Sequence, residues 1–150
     1  MPANVQPIFT KTPDIQFPNN ATISVVGASA NTALTGAGTL GTDIFAAFTA
    51  DATNGGYVSK MRFKASVSAS ATTLTVARVF INNGSTNATT TNNVFWDDIT
   101  LPAVTPSITA QSPVFELQLG FALPAGYRLL VTFGTATANG WGITTIGGKY

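Results

Sequence analysis

Apolar and polar residues alternate along this chain in short runs, the period-two signature of β-strands, with no sustained helical segment. The clearest run covers residues 57–69. Tyr57, Ser59, Met61, Phe63, Ala65 and Val67 fall on one side, and Lys60, Arg62 and Lys64 on the other. Residues 114–121 alternate in the same way, Phe115, Leu117 and Leu119 against Glu116, Gln118 and Gly120. Two further strands are predicted over 127–134 and 140–146, so residues 113–150 read as hairpins that finish the chain. In Leu123-Pro124-Ala125-Gly126, Pro124 sets φ at the first corner and Gly126 supplies a positive φ. Asn139-Gly140 suits a type I′ turn, within a longer loop. A last strand so close to the end of the sequence is expected to be tied into the sheet.

Upstream, strands are predicted over 21–26, 42–50, 72–82 and 94–101. Pattern alone leaves 42–50 as a strand or a helical turn, and the Asn54-Gly55-Gly56 that follows favours a hairpin into 57–69. In 72–82, Leu74 and Val76 share one face and Val79 and Ile81 the other. That change of phase near Arg78 implies a bulge or burial on both faces. Residues 27–41 form a glycine-rich loop or weakly paired edge. Gly36-Ala37-Gly38 lacks the Lys-Ser/Thr partner of a phosphate loop, and no helix pattern follows it. Residues 82–93 are a polar loop too long for a tight hairpin, and 102–112 a crossing loop.

Residues 1–18 carry Pro2, Pro7, Pro13 and Pro18, which exclude a helix and fit poorly in a central strand. They are read as an extended arm whose Ile8, Phe9, Ile15 and Phe17 pack either on this domain or on an adjacent subunit, with the adjacent subunit slightly favoured. The fold class expected is all-β: a two-sheet antiparallel sandwich of jelly-roll type. It has about eight strands, as one domain over 19–150 behind the arm.

Charge changes this picture most. Only 9% of the residues are charged, against about 25% in average proteins. A net charge of +1 opposes contact between copies weakly, so self-association is expected. Seven basic residues balanced by six acidic ones argue against a nucleic-acid footprint. No run approaches the roughly 18 apolar residues of a membrane span, so no membrane partner is expected. The proline-bearing N-terminal segment does not read as a signal peptide. Without cysteine, stability has to come from packing or assembly.

The same composition narrows the chemistry. With neither His nor Cys, Ser–His and Cys–His catalysis and the usual transition-metal sites are excluded. Six carboxylates remain: Asp14, Asp43, Asp51, Asp97, Asp98 and Glu116. A cross-strand pair for glycoside hydrolysis or a calcium site would need a signature that the sequence lacks. Asp97 and Asp98 are neighbours on a strand and so point to opposite faces. The protein is therefore expected not to be an enzyme and to hold no cofactor. Lys60, Arg62 and Lys64 make a cationic ladder with steps of about 6–7 Å, suited to an acidic partner or simply to solvent. Trp96, Tyr127 and Trp141 are candidates for a sugar platform, or for core and interface; Tyr127 and Trp141 join the arm and the ladder as expected interface residues.

The run LGFALPAGYRLLVTFGTATANGWGITTIGGKY, from Leu119, with the earlier TTLTVARVFINNGS, resembles small all-β proteins encoded among the structural genes of tailed bacteriophages. Its LPAGYRLLV unit also resembles the late strands of trimeric jelly rolls of the tumour-necrosis-factor type. The likeness spans residues 72–150. It implies a virion component on the capsid surface, made in the host cytoplasm: a homotrimeric cement or decoration protein. Its partners would be its own copies and the major capsid protein or another virion protein. The alternative is a receptor- or carbohydrate-binding head domain of a tail fibre or spike.

Overall fold

The fold was obtained as a computed structural model, which describes residues 12–18, 26–65, 71–137 and 140–150. Eight strands make two four-stranded antiparallel sheets packed face to face. They are β1 (Thr12–Gln16), β2 (Ile44–Thr49), β3 (Gly56–Ala65), β4 (Thr75–Asn82), β5 (Asn93–Leu101), β6 (Val114–Leu123), β7 (Arg128–Phe133) and β8 (Trp141–Lys149). The first sheet runs β1-β8-β3-β6 and the second β2-β7-β4-β5. First pairs with last, second with seventh, third with sixth and fourth with fifth. The alternation of Phe45, Met61, Phe63, Val79, Leu129, Val131, Trp141 and Ile143 sends one face of each sheet inward to a shared core. This is what period-two sequence requires once two sheets stack.

Three expectations about connections change. Residues 113–150 hold β6, β7 and β8 but no hairpin: β6 pairs with β3, β7 with β2 and β4, and β8 with β1 and β3. The turn after Pro124 crosses from one sheet to the other. So does the turn through Asn54-Gly55, which joins β2 of the second sheet to β3 of the first. A tight turn reports only a chain reversal; which strand then lies beside which is decided by burial of both apolar faces. The turn itself is closed by the Tyr127 N–H on the Pro124 carbonyl at 3.1 Å, one residue later than expected. Gly126 occupies its third position at φ +72°, the left-handed value a type II turn demands.

Among the described residues one strand was not predicted. Thr12–Gln16, assigned to the arm, is a strand of the domain's own sheet, paired along its length with β8. Its Pro13 is accommodated because β1 lies at the sheet edge, where one row of N–H groups needs no partner. The strand predicted over 21–26 and most of the arm, Ile8 and Phe9 included, lie outside the described residues. From that segment Val26 makes an isolated antiparallel bridge with Trp141.

Irregularities fall where the alternation breaks. Ser59 is one residue too many on β3 against β8, so Val58 turns inward and Tyr57 outward, and Tyr57 does not share a face with Met61. On β5, Asp97 faces Val79 and Phe95 faces Phe80, which leaves Trp96 as the extra residue of a bulge. Of the two causes anticipated for the phase change in β4, burial on both faces is the one found; β4 pairs with β7 without a break, and the bulge lies on β5. Ala77 and Val79 enter the main core, while Phe80 joins Ile44 and Leu130 in a second buried cluster. Gly36 packs against the Phe80 ring so closely that a Cβ there would come within 2.9 Å of it. The glycine-rich loop is therefore a cover for the outside of the second sheet. Amides hold it in place: Asn31, Asn87 and Asn93 donate to the carbonyls of Ala37, Gly38 and Gly36.

Candidate interaction surface

The two long edges of the sandwich are finished differently. Along β1 and β2, the Gln16 amide acts as a strand partner: Nε2 donates to the Thr49 carbonyl at 2.9 Å and Oε1 accepts from its N–H at 2.8 Å. A side chain thereby satisfies backbone groups at the β2 edge. Along β5 and β6, each strand is the last of its sheet. Here the bulge re-aims Trp96, whose ring centroid lies 4.5 Å from that of Phe121 on β6. Trp96 remains 46% exposed and Phe95 50%, with Val94 exposed beside them. Ile99, Phe115, Leu117 and Leu119 line the same seam half-buried against the core. β5 and β6 therefore bring two edge strands and exposed aromatic rings together, the kind of surface that in general pairs with another chain.

The residues expected at an interface divide. Ile15 of β1 is aligned with Ile146 of β8, and Ile146 with Lys60 of β3. Directly opposed residues share a face, so Ile15 and the cationic ladder Lys60, Arg62 and Lys64 belong to the outer surface of the first sheet. Ile15 is 64% exposed there, and Phe17 just beyond it is exposed too. Lys60 is paired with Glu116 at 2.9 Å. Arg62 and Lys64 are exposed and make no ion pair among the described residues. Tyr127 is half-buried against the core. Trp141 is fully buried in the core, 0% exposed, and meets Phe115 edge-on at 5.8 Å, so it is no surface residue. The alternation of β8 gave no means of telling burial in the core from burial between subunits.

Trp96 gains its place from a bulge, which adds one residue without any local mark in the sequence. Of the acidic groups, Asp97 faces Val79 on the inner side of β5 and is half-buried, while Asp98 is exposed opposite Arg78. Asp51 is an organiser of turns: its Oδ1 accepts the Thr53 and Asn54 N–H groups, and its carbonyl those of Gly55 and Gly126. Those N–H groups, Asn54 first and then Thr53, hold its carboxyl below the usual value. Among the described residues no three acidic side chains gather as they would around a cation. The chain matches no protein family, and no curated protein or solved structure matches it.

Proposed function

We propose that this protein is a non-enzymatic structural protein of a phage virion, a cement or decoration protein of the capsid acting through contacts between its own copies. The observation that carries the self-association is the open β5–β6 edge with Trp96 and Phe121. The virion assignment rests on the resemblance read from the sequence pattern of residues 72–150 alone. We read the nested pairing of first with last through fourth with fifth as a jelly roll, a fold common in capsids. The edge of one copy, with Trp96 and the exposed Asp98, is complementary to the outer face of the first sheet, with Arg62, Lys64, Ile15 and Ile146. Such a contact joins two different surfaces, and three copies close it into a ring.

Sedimentation of the purified chain tests the contact. A trimer at micromolar concentration is expected, falling to monomer in Trp96→Ala; a parent that sediments as a monomer ends the proposal. Copy counting on purified virions tests the location, with hundreds of copies on the head expected. A second reading, a receptor-binding head domain, is favoured by one feature: Trp96 beside Phe121 offers an exposed aromatic platform to a sugar. A handful of copies near the tail, with glycan binding lost in Trp96→Ala, would select it.

A further inference from the structure

The outer face of the second sheet holds a polar feature that the proposed assembly does not use. A cavity of about 310 Å³ is lined by Leu74, Thr75, Val76, Arg78, Thr100, Gly134 and Thr135. Arg78 is its one charged lining residue. The guanidinium lies over Gly134, where a Cβ would come within 3.2 Å of Nη1. Nη1 is buried and has no hydrogen-bond partner. Directly opposite on β7, Thr132 is fully buried, and its hydroxyl also lacks a partner. Buried polar atoms are almost always satisfied, and exceptions call for a missing ion, water or ligand. Of the two, Arg78 is cationic and lines the cavity.

We infer that this cavity binds a small carboxylate with a short apolar body. A planar guanidinium matches a carboxylate with two parallel N–H···O bonds once its end group turns from Gly134 into the open cavity. A monoanion fits better than a dianion because Asp98, the strand neighbour of Arg78 on β5, is the other charge on this face nearby. The apolar body is required by Leu74, 58% exposed at the rim, and by Val76. Thr75 is already engaged, exchanging hydrogen bonds with the Thr135 backbone, so it fixes the wall and leaves recognition to Arg78 and Thr100. The volume is at the lower end of the roughly 300–1,000 Å³ of ligand pockets, enough for a ligand of a few carbons.

The test is a titration of the full chain with sodium acetate, butyrate and hexanoate at matched ionic strength, with chloride and phosphate for comparison. Amide chemical shifts of Thr75, Gly134 and Thr135 are followed. Saturable shifts are expected with the carboxylates and not with chloride. Affinity should rise by up to about fourfold for each methylene that becomes buried. Arg78→Gln should abolish the response, Arg78→Lys weaken it, and Asp98→Asn strengthen it. Leu74→Ala, a change at an exposed position, should flatten the chain-length dependence and keep the acetate response. Equal shifts with chloride, or an unchanged response in folded Arg78→Gln, overturn the site; tighter binding of phosphate than of hexanoate overturns the carboxylate.

Discussion

Replacement of Trp141 by alanine distinguishes the core reading of this residue from the interface reading that the sequence left open. The side chain is wholly buried and is the largest in the core. Truncating a buried Trp to Ala costs about 3–5 kcal/mol, the transfer of the ring plus the cavity it leaves. Two features place this site in the upper part of that range. The backbone of Trp141 is held on one side by reciprocal hydrogen bonds with Val26, of 2.9 and 2.7 Å, and on the other by pairing with Ala65. Collapse into the cavity is therefore restricted. The edge-on contact with Phe115 is lost as well, adding about 0.5–1.5 kcal/mol of geometry-specific attraction. Against a domain stability of roughly 5–15 kcal/mol, a loss of about 4–5 kcal/mol is roughly a quarter of the total or more. The melting temperature should fall by about 6–20 °C for a chain of this size. Trp141→Phe keeps a ring against Phe115 and removes an indole N–H that has no acceptor, so its loss should stay under about 2 kcal/mol. Urea unfolding followed by circular dichroism, with sedimentation of the folded fraction, measures both. A Trp141→Ala variant with the parent's midpoint, or one that is stable but newly monomeric, refutes the core assignment.

Five further outcomes are expected. Gly126→Ala should cost about 1–2 kcal/mol from its left-handed backbone alone, since nothing lies within 4 Å of an added Cβ. Gly147→Ala should cost more by thermal melting, because its Cβ would come within 2.2 Å of the Tyr57 carbonyl oxygen. Asp51 has a folded pKa below its unfolded one. Its contribution is therefore present above the unfolded carboxylate value and lost as pH falls through the folded one; Asp51→Asn should remove that part of the acid dependence in melts below pH 5. Deleting residues 1–18 removes β1 and the Gln16 clamp, so the truncated chain should melt well below a chain lacking only residues 1–11. If the proposed trimer forms, replacing Arg62 and Lys64 by Gln should weaken it in sedimentation and reduce its salt sensitivity, with the melting temperature of the folded chain unchanged.

The sequence by itself determined most strands of residues 57–149, because alternation of apolar and polar residues is a local property of a half-buried strand. The runs at 57–69, 94–101 and 127–134 each became a strand within a few residues of the expected ends. It also determined the positive φ of Gly126, since few residues other than glycine tolerate that corner. Pairing was decided only in three dimensions. Turns that read as hairpins carry the chain between sheets, because each strand pairs wherever both apolar faces are buried, and partners separated by most of the chain leave no local trace. Pro13 counted against a strand until β1 was seen to be an edge. The exposure of Trp96 and the two unpartnered polar atoms at Arg78 and Thr132 were likewise decided by tertiary structure. A bulge shifts one residue without changing composition, and an unmet hydrogen bond exists only once neighbouring strands have taken their places.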